Sequence, residues 1–378
     1  MPQIIHNNYV FDKNFLHKFN QACIDSNSYN YHKALNQKLE NGFSVIDTVS
    51  ALNRSVPINI DCPKNIPVEI PEEQQIPLIL EFFNTLGLKD KVEAILLNKN
   101  PDYRVTISSK AKGSYVSHRG DNDWLDFSVQ LGTTVESTST IVHELSHALS
   151  QHHLKMLELV RKKLKAKTTY GENSQEYTVA DHDVKEYSHL KERMDIDCVG
   201  EIESHIIEKL FMLFLIDKGI ISEEYYQIFV DNLNKSLRNN LVLILEENDI
   251  FNQIQYPISM PEFENVHNTL KQNKHYNNLM HRMRFIAERK DMGRKDHHSS
   301  HMLRYVIAEV VSTLWIKKYL ESSKEEQVEM IKEYVEYLNK TAALSLESAV
   351  PALLGEGKTI YTVYADYIDY ITNQTITI

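Results

Sequence analysis

The sequence predicts a mainly helical protein with a small antiparallel β-sheet. After residue 135, apolar residues recur at the spacing of amphipathic helices over most of the chain. Between residues 103 and 131, apolar and polar residues alternate instead, around Gly113 and Gly120, which indicates two or three short strands. Many helices and few strands define the fold class.

The prolines indicate how the chain is divided. Five of them interrupt regular structure between about residues 57 and 77, and they predict a linker: Pro57, Pro63, Pro67, Pro71 and Pro77. An amphipathic helix split by Gly87 is expected next, from Leu78 to Leu97. We therefore predict an N-terminal helical region over residues 1–102 and a second domain over residues 103–378.

A strand is predicted to lead into the first long helix, which is expected from about Val135 to Leu159. The apolar positions of this strand alternate with polar ones, and Gly132 ends the pattern: Leu125, Phe127, Val129 and Leu131 against Asp126, Ser128 and Gln130. The polar face could hold an extended peptide by strand addition. Asp126, Ser128 and Gln130 are therefore the predicted substrate-binding residues.

The long helix carries the sequence His143-Glu144-Leu145-Ser146-His147. Positions i and i+4 of a helix are about 40° apart, so both imidazoles can reach one metal ion while Glu144 points to its flank. This pattern is typical of zinc hydrolases. The alternative is a core helix whose histidines make ordinary hydrogen bonds.

A catalytic zinc ion needs a third protein ligand and keeps a fourth position open. The best candidate is Glu201 on a later helix, where Glu201, His205 and Glu208 share one face. Glu203, Glu208 and His205 are the alternatives. Glu208 fits better as a partner that orients a ligand.

A polar, histidine-containing segment precedes a late helix. Residues 292–301 are predicted to form a loop before a helix from Met302 to Leu320. The loop would bring Tyr305 and three histidines to one helix start: His297, His298 and His301. A solvated loop followed by a core tyrosine is the alternative.

Several segments together resemble the thimet oligopeptidase and oligopeptidase F family of zinc metallopeptidases. They follow the family's order over roughly residues 106–358: Gly113-Ser114-Tyr115, Asp126–Leu131, Gly132-Thr133-Thr134, Ser139–His147, Glu201–Glu208, Arg304–Val310, Tyr337-Leu338 and Ser348–Leu354. The resemblance implies a zincin-like catalytic domain over residues 103–378. It also implies one Zn²⁺ per chain, bound by His143, His147 and Glu201.

The resemblance further implies roles for other side chains. Glu144 would act as the general base, and Tyr305 with one of His297, His298 and His301 would stabilise the tetrahedral intermediate. The chain departs from the family at Ser146, where a glycine is usual, and at Ser150, where a histidine is common. A stretch over residues 161–183 also lengthens the separation of His147 and Glu201 to 54 positions. The chain is short for the family, so its substrate channel is expected to be more open.

Composition and charge exclude several partners. A net charge of −11 argues against nucleic acid binding, and the basic run over residues 155–167 is typical of a solvated helix face. No segment reaches transmembrane length, so no membrane insertion is expected. Cys23, Cys62 and Cys198 are widely spaced and odd in number, and no signal peptide is recognisable. A cytoplasmic location, or export without a signal peptide, is expected.

The sequence therefore predicts a zinc endopeptidase that acts on oligopeptides. Two alternatives remain open: a protease dedicated to one protein target, such as a secreted effector or toxin, and a catalytically silent binding module. The intact Glu144 counts against the silent module.

Overall fold

The computed structural model describes residues 4–6, 9–25, 28–38, 44–57, 67–111, 113–118, 122–192, 194–253, 257–271, 298–340 and 345–373, with residues 280, 283, 284 and 287. The strands in this part of the chain are β1 Ile4–His6, β2 Tyr9–Phe11, β3 Tyr103–Ser108, β4 Tyr115–His118 and β5 Leu125–Gln130. The first helices are α1 Lys13–Asp25, α2 Ser28–Asn36, α3 Val45–Ser55, α4 Glu72–Thr85, α5 Lys89–Leu96, α6 Val135–Leu149, α7 Gln151–Tyr170 and α8 Gln175–Glu192. The later helices are α9 Met194–Asp217, α10 Glu223–Gln253, α11 Met260–Leu270, α12 His298–Glu321, α13 Lys324–Lys340, α14 Leu346–Leu354 and α15 Ile360–Asn373. Helix predominates, as predicted.

The chain forms two compact units, and each combines two segments. Unit 1 comprises residues 1–57 and 234–306, and unit 2 comprises residues 58–233 and 307–378. The predicted boundary at residue 102 does not coincide with this division. The reason is that α4 and α5 pack against α6, and α5 also packs against β3, so residues 72–96 belong to unit 2. Within the predicted linker, α4 begins at Glu72 and includes Pro77, and residues 58–66 lie outside the described part.

Unit 1 is built around an aromatic core. The β1–β2 hairpin is antiparallel and leads into α1, whose apolar face carries Phe15 and Phe19. These rings pack with Phe11 and with Phe263 of α11. Burial of these aromatic side chains stabilises this unit.

Unit 2 contains the predicted sheet, but its topology differs from the prediction. Its strand order is β3-β5-β4, with β3 parallel and β4 antiparallel to β5. The sheet is therefore mixed, and the expectation of an antiparallel sheet was wrong. Alternation shows which side chains are buried, whereas strand direction depends on the connections between strands.

The residues between the two motif-bearing helices form a helical hairpin. The predicted helix from 135 to 159 is broken at Ser150, whose backbone is extended, so α6 ends at Leu149 and α7 begins at Gln151. Helices α7 and α8 then pack together across a turn at Gly171. The predicted insertion over residues 161–183 is the distal part of this hairpin. Among the described residues, no helix has the length and apolar character needed to cross a membrane.

Candidate metal centre

Hydrogen bonds at the first turn of α6 fix where this helix begins. The Thr134 hydroxyl accepts from the backbone N–H of Ser137, and the Ser137 hydroxyl accepts from the backbone N–H of Thr134. A Cβ on Gly132 would lie 3.0 Å from the Cβ of Ser137, so a larger residue in this short connection from β5 would require Ser137 to shift by a few tenths of an ångström. The backbone N–H of Val135 also donates to the carbonyl of Val68 at 3.0 Å. The helix therefore starts at a defined position relative to the sheet.

The opposite end of α6 is anchored to the sheet. The hydroxyl of Tyr103 on β3 donates to the carbonyl of Ala148. Ile141, Val142 and Leu145 are fully buried. Their burial fixes the rotation of the helix, and His143 and His147 consequently face α9.

Helix α9 packs along α6 with Gly200 over the ring of His147. A Cβ on Gly200 would lie 3.7 Å from Nδ1 and 4.0 Å from Cε1 of His147, which is ordinary van der Waals contact. The hydroxyl of Tyr334 on α13 donates to the backbone carbonyl of Glu203 at 2.7 Å. Helix α9 is therefore held on one side by α6 and on another by α13.

Three potential ligand atoms converge between α6 and α9. Oε2 of Glu201 lies 3.6 Å from Nε2 of His143 and 3.7 Å from Nε2 of His147. The ligand atoms of the three residues all lie within 4.8 Å of one another. Of the alternatives for the third ligand, neither Glu203, Glu208 nor His205 belongs to this group. Glu203 is fully buried, and its backbone carbonyl accepts the hydrogen bond from Tyr334 of α13.

The donor set fits a zinc ion. Two ligands of a tetrahedral ion with bonds near 2.1 Å lie about 3.4 Å apart, close to the separations found here. Oε2 of Glu201 is buried, and no described group donates a hydrogen bond to it. A buried carboxylate oxygen without such a donor costs free energy unless a cation compensates it. Two imidazoles and a carboxylate are also a common zinc ligand set.

Glu208 contacts the other nitrogen of the first imidazole. Its Oε2 lies 3.5 Å from Nδ1 of His143, and its Oε1 accepts a hydrogen bond from the Ser139 hydroxyl at 3.0 Å. In the neutral ring, a carboxylate at Nδ1 favours the hydrogen on that atom and leaves the Nε2 lone pair available to a cation shared with Glu201. Sequence patterns did not assign Ser139 this role, although its position one turn before His143 was the available signal.

Ser204 is a second polar residue that sequence reasoning missed. Its hydroxyl donates to the carbonyl of Gly200 at 2.7 Å and lies 3.2 Å from Nε2 of His147. Its position three residues after Glu201 places it on the same part of α9. It therefore contacts the second imidazole of the group.

The charges of the centre are strongly coupled. Burial works to lower the pKa of His143, but the adjacent carboxylates of Glu201 and Glu208 outweigh it and raise that pKa to about 10. Burial works to raise the pKa of Glu201, but His143 and His147 hold it well below its usual value. The metal-free centre therefore stores a proton on His143 between two carboxylates.

Glu144 has a different environment from Glu201. Burial raises its pKa above the usual value, although the charges of His147 and His143 oppose that effect. Its side chain is 8% exposed. A carboxylate with a raised pKa beside a candidate metal centre suits proton transfer near neutral pH.

The chain shows little similarity to known proteins. No protein-family profile matches the chain, and no curated protein matches it. A solved structure described as an oligoendopeptidase F from Bacillus anthracis str. Ames matches with a TM-score of 0.47 and 12% identity, over 97% of this chain and 57% of that chain. This chain thus spans a little over half the length of that protein. At these values the match assigns neither a family nor an activity.

The predicted substrate strand is the central strand of its sheet. Each residue of β5 pairs with β3, and Leu125–Ser128 also pair with β4. Strand addition to this part of β5 is therefore excluded, and that expectation was wrong. Ser128 is buried and donates to the carbonyl of Gly113. A side-chain contact of Asp126 or Gln130 with substrate stays a prediction.

The predicted donors to the reacting carbonyl belong to the segment that leads into α12. Tyr305 is on α12 and belongs to unit 1, with its ring 5.8 Å from the guanidinium carbon of Arg304. Helix α12 begins at His298, so the expected loop is already helical there, although the side chains of His298 and His301 are not among those described. His297 lies outside the described residues. Their catalytic roles stay predictions.

Proposed function

We propose that this protein is a zinc-dependent peptidase that hydrolyses oligopeptides. The observation that supports this most strongly is the convergence of His143, His147 and Glu201 beside Glu144. Two helices that are distant in sequence supply these groups. The zinc-hydrolase pattern therefore occurs together with a third ligand at a suitable distance, which a chance pattern on a core helix would lack.

His143, His147 and Glu201 would bind the ion. When bound, zinc acts as a Lewis acid on a carbonyl oxygen and on water. Glu144 takes a proton from the attacking water as the C–O bond forms. It then gives this proton to the leaving amine as the C–N bond breaks. Glu208 holds His143 in the tautomer that offers Nε2.

We further propose that the substrate backbone pairs with β4. Among the described residues, β4 pairs only with β5, and it forms one edge of the sheet. Helix α6 packs against β4, so an extended peptide on this strand would run beside the centre. Main-chain pairing binds peptides with little dependence on their sequence, which suits an oligopeptide substrate.

A quenched-peptide assay tests the function directly. The chain is loaded with zinc and incubated with a library of internally quenched peptides, with and without a chelator. We expect hydrolysis that the chelator abolishes and added zinc restores. A zinc-loaded chain that cleaves none of the peptides would contradict the proposal and would favour either the silent binding module or a protease dedicated to one protein.

A further inference from the structure

A second polar cluster lies next to the candidate centre, between α9 and α12. The ammonium of Lys209 donates to Oε2 of Glu309 at 2.8 Å, and Nδ1 of His205 lies 3.1 Å from the same oxygen. The hydroxyl of Thr313 donates to Oε1 of Glu309 at 3.0 Å, and Lys209 also donates to Ser312 at 2.7 Å. Both oxygens of the Glu309 carboxylate are therefore held in place.

The burial of this cluster suggests a role other than stability. Lys209 is 3% exposed and Glu309 is 5% exposed. Removing two charges from water costs free energy that their attraction often fails to recover, so apolar replacements are frequently as stable. Buried ionisable groups with shifted pKa values cluster at functional sites, so this ion pair is a candidate for a functional role.

His205 connects the cluster to the metal ligands. It follows Glu201 by one helical turn on α9, and its ring centre lies 5.8 Å from that of His143. Its side chain is 12% exposed, in contrast to the more deeply buried Glu309. A peptide bound at the centre would therefore come within reach of this imidazole.

Glu309 determines the orientation and the tautomer of His205. Burial works to raise the pKa of Glu309, but Lys209 and His205 hold it at about 2. An ionised carboxylate only accepts hydrogen bonds, so the hydrogen of the neutral His205 ring must lie on Nδ1. Its lone pair is then on Nε2, where it can accept a hydrogen bond.

We propose that His205 is a further substrate-contacting residue of this centre, and that Glu309, held by Lys209, positions it. The inference rests on the proposed peptidase function. The Nε2 atom of His205 accepts a hydrogen bond from a backbone N–H of the bound peptide. Glu309 and Lys209 act only through His205 and do not touch the substrate.

The first test observes the ring of His205 in the metal-free protein. Long-range ¹H–¹⁵N spectra of the imidazoles, assigned with His205→Ala, report which nitrogen carries the hydrogen. We expect Nδ1 in the wild type and in Glu309→Gln, because the amide oxygen still accepts. In the double variant Lys209→Met/Glu309→Leu, which removes both charges and keeps the volume, we expect the preference for Nδ1 to be lost.

The second test measures substrate contact in the zinc-loaded protein. We expect His205→Ala and the double variant each to lose about 10- to 100-fold in kcat/KM, with unchanged zinc content. The triple variant should lose no more than either, because all three residues act through one contact. Val310→Ala on the same helix is the control: it should lower Tm and leave the tautomer and kcat/KM unchanged.

Binding of a peptide hydroxamate is measured alongside turnover, so that a failure of the inference is distinguishable from a failure of the function. We expect His205→Ala and the double variant to bind the hydroxamate more weakly, each by the factor that it loses in kcat/KM. Wild-type hydroxamate binding in His205→Ala would overturn the inference, and so would an unchanged spectrum in the double variant. If the wild type hydrolyses no peptide, but the variants still differ from it in hydroxamate binding and in the imidazole spectrum, only the peptidase function is refuted.

Discussion

Oε2 of Glu208 lies 3.5 Å from Nδ1 of His143, while Oε2 of Glu201 lies 3.6 Å from Nε2 of the same ring. One imidazole is thus held between two carboxylates, at its two opposite nitrogens. The first carboxylate can orient the ring and the second can share a cation with it. This arrangement separates two roles that the sequence of α9 alone left undecided.

The orienting role of Glu208 leads to a prediction about metal affinity. We expect Glu208→Ala to weaken zinc binding about 10- to 100-fold, because His143 loses the partner that fixes its tautomer. Competition with a chromophoric chelator measures the change in Kd. Ser139→Ala removes only the hydrogen bond to Oε1 and should lose much less. An unchanged Kd in Glu208→Ala would show that Glu208 does not orient the ligand.

Substitutions of Glu144 and of His143 should distinguish a loss of catalysis from a loss of metal binding. We expect Glu144→Gln to retain zinc and to lose about 10²- to 10⁴-fold in kcat, since the amide cannot accept the proton. His143→Ala should lose both zinc and activity. Zinc content is measured by atomic emission and turnover with quenched peptides. Retained turnover in Glu144→Gln would remove this residue from the role of base.

The raised pKa of His143 predicts that zinc binding is linked to pH. In the metal-free protein this pKa is about 10, so the ring carries a proton at pH 7.5 that must leave before Nε2 binds zinc. We expect release of about one proton and an apparent affinity that rises about tenfold per pH unit between pH 7 and 9. Calorimetry in buffers of different ionisation enthalpy counts the protons. No dependence on the buffer would contradict the shift.

The same shift has a consequence for the metal-free fold. Because the folded pKa lies above the ordinary value near 6.5, the charged ring contributes stability that is complete below pH 6.5 and is lost as the pH rises toward 10. Urea midpoints of the chelator-treated protein should therefore fall between pH 7 and 9. In His143→Gln, the part of this decrease in the urea midpoint that comes from the imidazole should be absent.

The capping box of α6 predicts an effect on stability. Thr134→Ala removes the hydroxyl that accepts from the N–H of Ser137, and we expect a loss of about 1 kcal/mol in the free energy of unfolding. Thr134→Ser keeps the oxygen and should lose a few tenths at most. Denaturant unfolding, followed by circular dichroism, measures both. Equal losses in the two variants would indicate that the hydrogen bond contributes nothing.

Local patterns predicted the helices of the centre and the residues that face each other in it. The i, i+4 spacing placed His143 and His147 on one face of α6, and the same rule grouped Glu201 with Glu208 on α9. Choosing Glu201 over Glu203 follows from the rotation of α9, which Tyr334 and the contact of Gly200 with His147 help to fix. That rotation depends on residues far away in the sequence.

The sheet and the polar cluster on α12 were beyond the same patterns. Alternation predicted that Leu125, Phe127 and Val129 are buried, and they are. It gave no information on which edges of β5 are paired, since pairing depends on where β3 and β4 lie in space. In the sequence, Glu309 is one more charged residue in an apolar helix. Its contact with Lys209 in the structure distinguishes it from a surface glutamate.

The α7–α8 hairpin leaves α6 at Ser150, and α9 begins at Met194. Doubling a loop adds only about 0.6 kcal/mol to the entropy of closing it. An excursion of this size, which packs on itself, can therefore change in length while α6 and α9 keep facing each other. The distance along the sequence between candidate ligands is consequently a weak criterion for recognising a metal centre of this kind, and the packing of two helices that bear them is a better one.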